Sequence, residues 1–172
     1  IEWYLLARDG NKALLYSKNT LEGSRAFGTA ASTRWDTSSI RTYLNGTFIN
    51  NKLPFLKDKI VETTITTRTA HNASTWMETQ DKVFFLTEAD LFGNHSGTPT
   101  SDPRDYTYNG KVLVPDINMR KFTGTKPYAF LRSPRLNNLG VAGCPAAGTA
   151  PTGYNSVNVT QCVRPALWVE MP

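Results

Sequence analysis

The sequence predicts an α+β domain of small antiparallel sheets, with two early helices and a long loop-rich insertion. Three observations carry that expectation. β-rich runs sit at both ends of the chain, an apolar helical stripe lies near residue 40, and residues 93–125 concentrate Gly, Pro, Asp and Asn. With 172 residues the chain is long enough to bury a core. No repeat and no internal boundary divides it, so a single domain over 1–172 is expected. It opens without Met or a signal-peptide pattern, which reads as a domain taken from a larger protein.

The first element is a hairpin. Glu2 to Ala7 is a β-rich run, Asp9-Gly10 supplies the turn, and Ala13 to Ser17 runs back. Residues 18–34 are polar with scattered Gly and Ser, and read as loop. A helix is predicted over 38–45: Asp36, Thr37 and Ser38 offer a cap, Gly46 a stop, and Ile40, Tyr43, Leu44 and Phe48 one apolar face. A second short helix is predicted around Phe55–Ile60, running into a Thr/Ile-rich strand over Val61–Arg68. Lys82–Leu86 reads as a short buried strand, and Thr87–Phe92 as a capped helical turn. After the insertion, strands return at Tyr128–Arg132 and Val163–Val169, leaving the first and last strands free to pair.

Composition removes several function classes. The chain is 40% hydrophobic and 19% charged, as globular domains are. No apolar run approaches the roughly 18 residues of a membrane helix, so no membrane insertion is expected. The net charge is +5, but the 19 Lys and Arg are spread singly from Arg8 to Arg164. Nothing forms a phosphate-tracking stripe, and nucleic acid is not an expected partner.

Three stretches carry a signature. The first is Trp35-Asp36, Ser38-Ser39, Arg41, Tyr43-Leu44-Asn45 and Phe48; the second is Asp81 to Thr87 with Asp90. The third joins Leu131-Arg132-Ser133-Pro134 to Val163-Arg164-Pro165-Ala166-Leu167-Trp168. In this order they resemble an uncharacterised bacterial and phage family related to C-type lectins, to formylglycine-generating enzyme and to variable proteins of diversity-generating retroelements. The resemblance implies a C-type-lectin-like fold. The residues themselves make Arg132 and Arg164 suited to bonding carboxylates or loop carbonyls, with ligand contact by Arg41, Arg132 or Arg164 as the lesser reading.

The chemistry such relatives offer finds little purchase here. Formylglycine-generating enzymes use two close cysteines, whereas Cys144 and Cys162 lie far apart in sequence. His71 and His95 sit alone in polar loops, too few for an iron site. No GxSxG elbow or phosphate cradle is present. An enzyme is therefore the third-ranked expectation, and no cofactor or resident metal is expected. Asp102, Asp105 and Asp116 could ligate a hard cation, but aspartates in such loops serve more often as turn formers. Four Asn-x-Ser/Thr sequons occur, at Asn45, Asn72, Asn94 and Asn158. Cys144 and Cys162 are expected to form a disulfide across a turn near Thr152-Gly153, in an exported domain.

Residues 136–163 contain no Asp, Glu, Lys, Arg or His and one aromatic, Tyr154. Two readings stay open. One is a Gly/Ala-rich meander of closely packed backbones; the other is an adaptable contact surface of Tyr, Asn and Ser. On the second, the ligand-binding residues are Asn137, Asn138, Tyr154, Asn155, Ser156 and Asn158. The resemblance adds that retroelement variable proteins place their diversified residues in this C-terminal part, and these residues are of the types adenine-directed mutagenesis yields. The leading expectation is a ligand- or receptor-binding domain shown on a bacterial surface or phage tip, extracellular or on the virion, whose partner is a protein or glycan on a cell surface. The alternative is a structural or interaction module of a larger extracellular protein.

Overall fold

The computed structural model describes residues 1–28, 32–135 and 140–172, with backbone alone at Gly23 and 152–155. The predicted hairpin is present as β1 (Trp3–Asp9) and β2 (Lys12–Ser17), with Gly10 at φ +57 in its turn. A third strand, β3 (Glu22–Ala26), lies where the sequence reads as loop. After the helical region come β4 (Ile60–Val61), β5 (Thr63–Arg68) and β6 (Trp76–Asp81). The insertion holds β7 (Asn94–His95) and β8 (Thr98–Pro99). The chain closes with β9 (Tyr128–Arg135), β10 (Gly140–Pro145), β11 (Thr152–Ser156), β12 (Thr160–Val163) and β13 (Ala166–Glu170). The architecture is α+β, and nearly all strand pairing is antiparallel.

Two sheets organise the domain. One has the order β1-β2-β13-β4, so the last strand pairs with the second strand, not the first. The other has the order β11-β10-β9-β12-β3, with β12 parallel to β9 and antiparallel to β3. Strand β3 exists because β12 offers it an edge: Thr160 pairs with Ala26 and Gln161 with Arg25. The β5-β6 and β7-β8 hairpins form two further small sheets. The core includes an aromatic group in which Phe27, Trp35, Phe85 and Phe130 meet at ring separations of 5.7 to 6.1 Å.

The first helix begins as expected, with Ser38 accepting from the Arg41 amide. It does not stop at Gly46. Helix α1 (Ser39–Tyr43) runs through a π-helical turn (Leu44–Phe48) into α2 (Ile49–Lys52). Gly46 meets no neighbour where a Cβ would stand, so it marks an open face. Ile40, Leu44, Phe48 and Ile49 are buried, while Tyr43 is only half-buried. Leu44 is fully enclosed. Leu44→Ala is therefore expected to cost about 2–5 kcal/mol, read as a lowered chemical-denaturation midpoint. An unchanged midpoint would mean the stripe is not core.

Other expectations are corrected. Phe55–Ile60 is a run of turns, not a helix: Pro54 precedes it, Phe55 is 96% exposed, and only Leu56 and Ile60 reach the core. Lys82–Leu86 contributes a single bridge, Phe84 to Ala166, although Val83 to Leu86 are fully buried. Thr87 does cap α3 (Glu88–Phe92) through a reciprocal capping box with Asp90. The insertion continues with a 3-10 turn (Pro103–Asp105) and α4 (Ile117–Arg120). No helix of the described residues is long and apolar enough to cross a membrane.

The expected disulfide is absent. Cys144 and Cys162 are both buried thiols, not joined to each other. Each lies opposite Ala129, one on β10 and the other on β12, so β9 runs between them. Two strand spacings separate the cysteines by about 9–10 Å, beyond the roughly 7 Å a disulfide spans. Burial also pushes the Cys144 thiol up to about 11, far from a reactive thiolate. The turn expected near Thr152-Gly153 falls earlier, because Thr152 already pairs with Gly143.

The signature residues bind one another. Trp35 and Arg41 both donate to Asp81, at 2.8 and 2.6 Å, and the Asn45 side chain accepts from the amides of Lys82 and Val83. Arg132 is fully buried and donates to the Phe85 and Thr66 carbonyls and to Thr67 and Thr107, with Asp90 at 3.9 Å. Burial brings its guanidinium down to about 10, still charged at neutral pH. Arg164, 1% exposed, donates to the carbonyls of Ser17, Lys18, Met119 and Arg120. These arginines hold loops to strands, and all of their described contacts are internal.

Candidate functional site

The uncharged stretch divides in two. Gly140 to Cys144 are buried, and β10 lies between β9 and β11. Here Gly and Ala serve close packing. Strand β11 is different, because it forms the edge of the five-stranded sheet and among the described residues pairs with β10 alone, with Asn155 opposite Val141 and Ser156 opposite Gly140. The close-packing reading describes β10, and β11 is set apart from it by its place on the sheet edge.

Of the six predicted ligand contacts, Asn137 and Asn138 lie outside the described residues. The backbones of Tyr154 and Asn155 lie on the β11 edge; their side chains are outside the described residues. Half-buried Ser156 donates to the side-chain oxygen of exposed Asn158, 2.6 Å away, across the turn into β12. Val159 is 50% exposed beside them, while Val157 is buried and its carbonyl accepts from the Gly28 amide. The turn is therefore pinned from below and open above. At the other end, Gly148 at φ +69 packs where a Cβ would lie 2.9 Å from Arg120 and Lys121 atoms. Arg120 in turn donates to the Gly148 carbonyl. A side chain at position 148 would force this connection open.

A second polar centre was not legible in the sequence. His71, from the β5-β6 loop, lies 2.7 Å through Nδ1 from the Ser96 hydroxyl. His95 Nε2 donates to the His71 carbonyl at 2.9 Å and lies 3.5 Å from the same hydroxyl. Ser96 takes φ +52, and its amide and that of Gly97 donate to fully buried Glu88. The two amides that could stabilise an oxyanion are thus occupied, so the Ser–His proximity lacks that part of nucleophilic catalysis. The histidines, distant in sequence, instead fasten the 69–75 loop onto the β7-β8 turn.

This fastening has a pH dependence. Burial depresses the His95 pKa, and the His71 carbonyl opposes the shift; Arg68 lowers it further, while Asp105 and Glu88 raise it. The unfolded chain then binds the proton first, so stability is full above the ordinary histidine value of about 6.5 and declines below it. The melting temperature is expected to fall between about pH 7.5 and about pH 5.5, less so in His95→Gln. Equal loss in both proteins would assign the effect to other groups.

The insertion's aspartates are not brought together. Asp102 caps the 3-10 turn and pairs with Arg104 at 2.8 Å, and Asp116 caps α4. Asp105 accepts from Arg68, Trp76 and Thr100. Burial would raise the Asp105 pKa, but the hydrogen bonds from Arg68 and Thr100 lower it overall. Among the described residues no group of three or more His, Cys, Asp or Glu is placed to hold a metal ion. A cavity of about 10 Å³ between Thr67, Thr87, His95, Asp105 and Ser133 has room for a single water.

Two main sheets with loops tied to them by internal arginine bonds, and an uncharged edge strand on one sheet, define an α+β domain. The chain belongs to the family described as a domain of unknown function (DUF6273), which matches residues 10–171 and so includes all three signature stretches. No curated protein and no solved structure matches the chain.

Proposed function

We propose that the domain is a ligand- or receptor-binding module of C-type-lectin-like fold, displayed on a bacterial surface or phage tip. Its partner is a protein or glycan on a cell surface, engaged by β11 and the turn that follows. The observation that carries this reading is the position of the uncharged stretch. One of its strands, β10, lies inside a sheet, and another, β11, lies on that sheet's edge and leads into the open Ser156–Asn158 turn. An edge strand presents unpaired backbone groups, and Tyr, Asn and Ser add contact area and adaptable hydrogen bonds. Arg132 and Arg164 fasten the flanking segments, so changes between them leave the scaffold its bonds.

Substituting Tyr154, Asn155 and Asn158 together by Ala tests the reading. The melting temperature should stay nearly constant, while retention on bacterial cell envelopes that capture the unaltered domain should be lost. Retention that survives the triple substitution would move the binding face elsewhere. A neighbouring reverse transcriptase gene with a near-repeat of the 3′ coding sequence would support the retroelement form of the proposal.

A further inference from the structure

We infer that a cleft on the outer face of the β5-β6 hairpin, built apart from the β11 edge, binds a pyranose unit of a glycan on Trp76. Thr66 pairs with Glu78 and Arg68 with Trp76 across the hairpin, so these side chains share one face. Ile65, Thr67, Met77 and Thr79, on the opposite face, are buried. Over the outer face lies a cleft of about 560 Å³ lined by Thr66, Ser74, Thr75, Trp76, Glu78 and Arg104. That volume is in the range of about 300–1,000 Å³ common to small-molecule sites.

The aromatic ring is held firmly. Trp76 Nε1 donates to Asp105, which is 5% exposed and bonded twice by Arg68 at 2.6 and 2.7 Å. What lies over the ring on the cleft side is exposed. The Arg104 guanidinium stacks 3.6 Å from the ring centroid, with a side chain 57% exposed and a two-bond pair to Asp102, while Arg68 lies 4.6 Å from the same centroid. Two parallel bonds fix the geometry of the Arg104 pair, but water and salt screen it. Arg104 is thus a solvent-accessible cover that a ligand must displace from a fixed aromatic platform.

The lining selects the ligand class. Trp76 is its single apolar side chain, so an aliphatic or peptide anchor gains little here. The Glu78 and Ser74 side chains are exposed and make no hydrogen bond or ion pair among the described residues. A pyranose suits both features: its C–H face stacks on the indole, and two adjacent hydroxyls donate to the Glu78 carboxylate. Bonds to Ser74 and Thr75 hydroxyls fix orientation, and no metal is required.

Saturation-transfer NMR with methyl glycosides of glucose, galactose, mannose and N-acetylglucosamine tests the site, in buffer containing a chelator. At least one glycoside should receive transfer from the unaltered domain. Arg104→Ala, which bares the ring, should tighten that binding about 2- to 5-fold. Glu78→Gln, an exposed change that leaves folding intact, should weaken it about 10-fold or more. The Tyr154/Asn155/Asn158 triple variant should bind the glycoside as the unaltered domain does, which separates this site from the β11 surface. No transfer from the unaltered domain and from Arg104→Ala alike, or equal transfer from Glu78→Gln, overturns the inference.

Discussion

Arg164→Met is expected to lower stability by about 4 kcal/mol, seen as a melting temperature about 10 °C lower. The cause is local. Arg164 is 1% exposed, and its guanidinium serves carbonyls of two separate segments, Ser17 and Lys18 on one side and Met119 and Arg120 on the other. Met replaces the stem but none of the donors, leaving acceptors buried without partners, at about 1–3 kcal/mol each before relaxation. Arg164→Lys should rescue only part of the loss, since an ammonium cannot spread its donors across both segments. A loss below about 1 kcal/mol would mean that water readily replaces the guanidinium.

Asp81→Ala is expected to cost about 3–5 kcal/mol, because it strips the partner from a guanidinium and from a buried indole N–H. Asp81 is fully buried and accepts from Trp35, Arg41 and Thr79. Adding Arg41→Met to Asp81→Ala should recover part of the loss, since no orphaned charge remains. Denaturant titrations of the two single variants and the double variant measure that coupling. Simple additivity would show that Arg41, whose side chain is 25% exposed, draws its solvation from water instead.

Elements with local causes were legible in the sequence. Asp9-Gly10 announces the first hairpin, Ser38 the first helix, and Thr87 with Asp90 the capping box. Elements that depend on a distant partner were not. Glu22–Ala26 has no strand-like alternation and becomes β3 only because β12 lies beside it. Nothing local shows that β9 separates Cys144 from Cys162, or that His71 and His95 converge on Ser96. The helix over 55–60 failed for a smaller reason: Leu53 to Ile60 needs only turns to cross, and Phe55 faces solvent. Within the candidate surface, composition located the segment but could not separate buried β10 from edge β11, since both lack charge.

The passage from β12 through Arg164-Pro165 into β13 ties the last residues to both sheets. Strand β12 separates β9 from β3, and β13 separates β2 from β4, with Glu170 opposite Lys12. A ribosome that has released only the first 160 residues presents a hairpin lacking its central neighbour and a sheet lacking an interior strand. Contacts of such long sequence separation form slowly and late. Both sheets are therefore completed only once the strand at 166–170 has left the exit tunnel, and until then apolar faces that it covers stay open to solvent.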